Sequence, residues 1–157
     1  MRKRLLDPAQ KRVASVDPYW LDLDSLADVE VTSEDPAHPI EAALLPNRSS
    51  GWRAGELGEQ TIRLLFSSPQ QVRRIRLNFV ESEIERVQEY VLRWSSDGGN
   101  TFQDIVRQQW NFSPQGATSE TEDHHVDLPG VTALELCIIP DIGGTRALAS
   151  LDQMRVA

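Results

Sequence analysis

From about residue 60 onward the chain alternates apolar and polar positions with a period of two, the mark of strands that bury one face. The run "TIRLLF" reads as an apolar strand, and "VRRIRLNFV" sets Ile75, Leu77 and Phe79 on one face against Arg74, Arg76 and Asn78 on the other. "VQEYVLRWSS" repeats the arrangement, with Tyr90, Leu92 and Trp94 inward and Glu89, Val91 and Arg93 outward; "FQDIVRQQWNF" then returns after a DGGNT turn, so the two form a hairpin. Further strands are expected at "HHVDL", at "TALELCIIP", where Leu134, Leu136 and Ile138 alternate with Glu135, Cys137 and Ile139, and at the closing "ASLDQMRV". Upstream, "WLDLDSLADVEV" reads either as a helical turn around Trp20, Leu23 and Leu26 leading into a strand at 29–32 or as strand throughout. Residues 33–54 form a long structured loop with a short helix at 40–45. Some eight strands, one or two short helical turns and no long amphipathic helix predict an all-β, antiparallel β-sandwich.

Composition changes this picture little. A chain of 157 residues with 39% hydrophobic and 25% charged residues is expected to form one domain. Residues 1–19 carry two Asp-Pro steps and read as an N-terminal arm, leaving 20–157 as the sandwich domain. The formal charge of -8 disfavours nucleic acid and anionic membrane surfaces, because both are polyanions. The one basic strip, Arg73, Arg74 and Arg76, is followed by Glu81, Glu83 and Glu85, which leaves a mixed local field. Cys137 is the only cysteine, so no intrachain disulfide forms and a buried, inert thiol is expected. "MRKRLLDPAQKR" lacks the apolar core of a signal peptide and no window reaches a transmembrane length, so a cytoplasmic location and no membrane insertion are expected. Asn47-Arg48-Ser49 is a glycosylation sequon only on a eukaryotic secretory route.

Candidate chemistry is sparse. Ser95-x-Asp97-x-Gly99-x-Thr101-Phe102 spells the Asp-box of propeller blades, but once, in a chain too short for a propeller; tight-turn chemistry explains it without a ligand. Trp94 continues a core face, and Trp52, after a Ser-Ser-Gly turn, reads as core or as the wall of a ligand site. Trp110 and Phe112 alternate into the loop "SPQG", where exposed aromatics would mark a binding surface. His124 and His125 are adjacent in an extended run and point to opposite faces, so they do not jointly chelate a metal; Glu120, Glu122 and Asp123 beside them read as a solvated acidic edge. No nucleophile elbow, phosphate loop or metalloprotease motif is present, and Glu83 and Glu85 look like loop surface rather than an acid–base pair, so no catalytic activity is expected.

Four pieces, taken in order, resemble the discoidin or coagulation factor 5/8 type C family, whose galactose-binding-like jelly roll also serves as carbohydrate-binding modules. They are the stretch ending in "GWRA", the strand "VRRIRLNFV", the hairpin "YVLRWSSDGGNTFQDI" and the ending "ALELCIIPDIGGTRALASLDQMRV", which together span roughly residues 29–157. The resemblance implies a ligand end built from loops 33–54, 81–87, 110–115 and 141–147, with carbohydrate as the leading ligand. His38, Glu41, Arg48, Trp52, Glu83, Trp110, Phe112 and Arg146 would supply the stacking faces and bidentate hydrogen bonds that sugars require. The family's Asp-Gly step for a structural calcium is missing from "EAALLPNRSS", which leaves only Glu34 and Asp35 as nearby hard ligands, and no cofactor is expected. The alternative is a protein–protein interaction or scaffold module of the same fold.

Overall fold

Two strands of 21 residues organise the computed structural model, which describes residues 20–48 and 50–157. The expected N-terminal arm, residues 1–19, lies outside the described residues, as does Ser49 of the sequon. In chain order the elements are α1 (Leu23–Leu26), β1 (Ala27–Val31), α2 (Glu41–Leu44), β2 (Trp52–Arg53), β3 (Gln60–Val80), β4 (Arg86–Ser95), β5 (Gln103–Phe112), β6 (Ser119–Ile139), β7 (Ser150–Leu151) and β8 (Gln153–Val156). All strand pairs are antiparallel, in the order β1-β3-β6-β4-β5, with β8 also on β3 and a small β2-β7 pair apart. The stretch at 20–31 takes its helical alternative, followed by a strand that begins at Ala27.

The runs "TIRLLF" and "VRRIRLNFV", expected as separate strands, are two halves of β3, and "HHVDL" and "TALELCIIP" are likewise two parts of β6. The strands stay continuous because irregularities in register at Leu65/Gln70, Gln70/Val72 and Val72/Arg74 absorb the bend. The inward set changes parity there, from Ile62, Leu64 and Phe66 to Ile75, Leu77 and Phe79, which is what extra residues in one strand of a pair produce. The first half of β3 pairs with β1, and the last part of β6 with β4; the second half of β3 pairs with β8. The two long strands therefore pass from one layer of the sandwich to the other, and apolar side chains fill the space between. Tyr90 bridges the layers, its ring 5.3 Å from that of Phe79 and its hydroxyl 2.8 Å from Nε2 of His124.

Two expectations about faces need correction. Val91 points outward but is buried there, flanked in register by Cys137 and Arg107. Glu120 belongs to no solvated edge: even-numbered residues at the start of β6 face inward, and Glu120 is only 2% exposed. His124 and His125 do take opposite faces.

The DGGNT turn is self-contained. The Asp97 carboxylate accepts from the Thr101 amide (2.9 Å) and hydroxyl (2.6 Å) and from the Ser95 hydroxyl (2.6 Å). These bonds, that from Ser95 first, pull its carboxyl down to about 2. Gly98 and Gly99 sit at φ +77 and +90, so the hairpin reading accounts for the whole motif.

On the outer face of the larger sheet, one charged residue per strand stands in register from edge to edge: Glu30, Arg63, Glu135, Arg93 and Asp104. Successive ion pairs measure 3.2, 2.7, 3.3 and 2.9 Å, and the Phe102 ring lies 5.5 Å from the Arg63 guanidinium. Burial pushes the central Glu135 carboxyl up, but hydrogen bonds from Arg63 and Cys137 and the charges of the ladder hold it below the usual value of 4.5. Its stabilising contribution is therefore present above that pH and lost as the pH falls through the lowered value. Glu135→Ala is expected to cost about 2–3 kcal/mol at neutral pH, the range for charged hydrogen bonds to a partly buried group. Urea denaturation should show a lower midpoint at unchanged slope, and a smaller loss of stability on acidification than the parent shows.

Candidate functional site

The residues at one end of the sandwich enclose two adjoining hollows of about 200 and 140 Å³, which share Arg53, Val80, Glu81, Glu83 and Ser150. The first adds His38, Trp52 and Asp152, the second Ile84, Arg146 and Leu148. Together they make one open cleft.

Its first wall is the loop 33–54. Trp52 is 1% exposed, and its indole N–H donates to the Ser33 carbonyl at 3.1 Å, so the ring forms buried floor. The two-residue pairing Trp52↔Leu151 and Arg53↔Ser150 turns Trp52 in and leaves Arg53 facing solvent. Gly51 permits this approach: at φ +65, a Cβ there would lie 2.7 Å from the Leu151 carbonyl oxygen and 2.9 Å from Cα of Asp152. His38 is fixed through its backbone, and its Nδ1 lies 3.2 Å from the Ser50 carbonyl oxygen. Arg155 of β8 anchors the same loop by donating to the Ala43 and Leu45 carbonyls at the end of α2.

The loop's two carboxylates close the loop itself, Glu34 accepting from the Ile40 amide and Asp35 from the Ala37 amide, each at 2.9 Å. Among the described residues no three acidic, histidine or cysteine side chains cluster as a metal set.

The second wall, 81–85, is shaped from beneath. Glu81 accepts backbone N–H groups of Glu83 (3.1 Å) and Ile84 (3.4 Å) with one oxygen and Nε of Arg86 (2.8 Å) with the other. Burial raises the Glu81 carboxyl, but the Arg86 bond, the two amides and the Arg86 charge outweigh it and leave it lowered. Arg86 is itself fully buried; it donates to the Pro140 carbonyl at 2.8 Å and lies 4.9 Å over the ring of Phe112. The third wall, 141–147, curls around Asp141, which accepts from the amides of Val87, Gly143 and Thr145 and from the Thr145 hydroxyl. That hydroxyl is the main reason its carboxyl is lowered. Arg86 and Asp141 thus tie two walls together, and with them Glu83 and Arg146.

Of the residues singled out from sequence, His38, Trp52, Glu83 and Arg146 line this cleft. Glu41 and Arg48 do not: Glu41 begins α2 and borders an apolar hollow with Leu23, Leu44 and Leu64, and Arg48 lies outside both parts of the cleft. Phe112 is 0% exposed and Trp110 is half-buried against the core, so neither is the exposed platform expected. The alternation that seemed to enter a loop is β5 itself, whose inward face pairs Trp110 with Gln88 and Phe112 with Arg86. Arg53, Ser150 and Asp152 were missed. The strand alternation in "GWRA", Trp in and Arg out, carried the signal for Arg53.

Arg53, Arg146, Glu83 and Asp152 enter no ion pair among the described residues. Beside them the aliphatic side chains of Val80, Ile84 and, on the third wall, Ile142 are 46%, 40% and 49% exposed. The arrangement offers opposed charges and apolar contact over an open surface, with no exposed aromatic face on the lining.

The sequence model of the F5/8 type C domain matches residues 28–149. The chain belongs to this family. Solved F5/8-like structures agree on the fold. A family 32 carbohydrate-binding module of NanJ from C. perfringens, in complex with galactose, superposes with a TM-score of 0.64 at 14% identity, covering 87% of this chain and 96% of that one. CpGH89CBM32-5 from Clostridium perfringens, in complex with GalNAc-beta-1,3-galactose, gives 0.64 at 20% identity, covering 87% and 98%. A pectin-binding module gives 0.61 at 14%, covering 84% and 90%. At these identities the likeness establishes the β-sandwich of the family 32 modules. No curated protein matches the chain in sequence. Among the described residues no helix is long and apolar enough to cross a membrane.

Arg86→Met is expected to free both loops. It should destabilise the domain by about 3 kcal/mol, since it strips a buried ion pair of one partner. Amide hydrogen exchange should accelerate first at Glu83, Ile84 and Ile142, before any change in the hairpin of β4 and β5.

Proposed function

We propose that this F5/8 type C domain is a non-catalytic module that binds carbohydrate in the cleft at its loop end. The observation that carries this reading is the convergence of His38, Arg53, Glu83 and Arg146 from three separate loops on one open, rigidly braced cleft. Guanidinium and carboxylate groups make the bidentate hydrogen bonds that vicinal hydroxyls accept and donate. Val80, Ile84 and Leu148 offer apolar contact to the C–H face of a ring, in place of the aromatic stacking that the buried Trp52 and Phe112 do not provide. That solved modules of the same fold hold galactose and GalNAc-beta-1,3-galactose supports the ligand class. Binding without catalysis is favoured because Glu81, the buried carboxylate beneath the lining, is committed to Arg86 and to the Glu83 and Ile84 amides. Recognition through a shallow, hydrogen-bonding cleft implies weak monovalent affinity, of a kind that repeated modules or repeated ligands strengthen.

The exposed aliphatic side chains of Val80, Ile84 and Ile142 favour a second reading, a protein partner docked on the same end. A glycan array probed with the full chain separates the two. On the carbohydrate reading a restricted set of glycans is bound, equally with calcium or chelator. Titration calorimetry should then show Arg53→Ala and Arg146→Ala each weakening binding about tenfold, roughly 1.4 kcal/mol, at unchanged melting temperature. Trp110→Ala should lower the melting temperature and leave the dissociation constant alone. An array blank in both conditions overturns the carbohydrate reading.

A further inference from the structure

The start of β6 places acid where a sandwich normally places hydrocarbon. Glu120, Glu122 and His124 occupy alternate positions and face between the layers, while Thr121, Asp123 and His125 face out. Glu120 stands in register with Phe79, is 2% exposed, and has no hydrogen-bond partner of opposite charge or with an N–H on either carboxylate oxygen. It enters no ion pair among the described residues. β3 presents Ile75, Leu77 and Phe79, β8 presents Met154 and Val156, and β5 presents Trp110 and Phe112. From β4 come Tyr90, whose hydroxyl meets His124, and Arg86, whose Nε and Nη1 donate to Glu81, Gln88 and the Pro140 carbonyl while its Nη2 has no partner. Arg74 pairs with Asp123 on the outer face. Glu122 follows two residues along the same face.

We propose that Glu120 is held in the folded protein as a neutral carboxylic acid, and that loss of this proton loosens the turn between β5 and β6. A carboxylate 2% exposed with neither oxygen partnered cannot ionise there without a large desolvation cost, so the proton is what allows β6 to close over Tyr90 and Phe79. The turn at 113–118 is the nearest part free to yield, and it abuts the cleft wall: the Glu81 amide donates to the Thr118 carbonyl at 2.8 Å. A proton inside the sandwich thereby acts on a loop at its end, whatever that end binds.

Burial first, then the Glu122 hydrogen bond and charge, raise the Glu120 carboxyl to about 8. Burial, with the charges of Glu122 and Glu120 added, also pushes the Tyr90 phenol up, so it stays neutral. With the folded value above the usual 4.5, folding takes up a proton: the contribution is complete below 4.5 and is lost as the pH rises through about 8. The lowered carboxyls of Glu81, Asp97, Asp123, Glu135 and Asp141 act only on the acid side of this window. His124, lowered chiefly by burial, acts below its usual 6.5. Between pH 6.5 and 8, Glu120 is the shifted group among the described residues that sets the slope.

Urea denaturation of the full chain across that window tests this. The folding constant of the parent should fall close to tenfold per pH unit, and that of Glu120→Gln should stay flat. Amide exchange at residues 113–118, corrected for its intrinsic pH dependence, should rise above pH 8 in the parent and not in Glu120→Gln. Infrared spectroscopy of the parent alone should show the carbonyl band of a protonated carboxylic acid at neutral pH, lost on titration past 8. Equal pH slopes in the two proteins overturn the proposal, as does the lack of that band, which remains decisive if Glu120→Gln does not fold.

Discussion

The break in register midway along β3 is the constraint from which the rest of the molecule follows. Without it, one 21-residue strand would keep a single inward parity and one sheet. With it, the same strand offers Ile62 and Leu64 to one layer and Leu77 and Phe79 to the other, and β6 follows it across the bend. The layers are thus joined covalently through their two longest strands, and the second half of β3 delivers Val80 and Glu81 directly into the end where β2, β7 and the 141–147 loop meet. The cleft is a product of that bend as much as of its loops.

Polar groups divide the labour of specifying the domain. On the outer face charges alternate and satisfy one another in partial solvent; inside, Arg86, Gln88 and Glu120 are buried with atoms left unpartnered. The first arrangement is tolerant at its exposed edge members, Glu30 and Asp104, because water can replace a lost partner there. The second is not, because the interior offers no substitute. That the intolerant groups lie beneath the loop end concentrates the domain's sensitivity at the cleft.

Period-two alternation made the strands, the hairpin and the fold class legible, since a half-buried strand writes its two faces directly into sequence. Continuity across a bend was not legible: the exposed "SSPQQ" of β3 looks like a loop because a strand crossing between layers briefly has no buried side. The same pattern misled at the site. Trp110 and Phe112 were taken for a loop because "SPQG" follows at once, yet they finish the strand, and Phe112 serves as the surface on which Arg86 rests. The burial of Glu120 was invisible for a related reason. Alternation assigns a side chain to a face, and only the second layer, supplied by β4 and β5, decides whether that face is wet.

The charged row across the large sheet also bears on how the chain finds its pairing. A slip of two residues between β3 and β6 keeps every apolar side chain inward and would be nearly silent to the core. It would not be silent to Glu135, which would leave the reach of Arg63 and lie almost buried beside Thr61 or Leu65. The ladder therefore works as a proofreading mark, read during assembly from the solvent side, that distinguishes the native register from its nearest hydrophobic impostor.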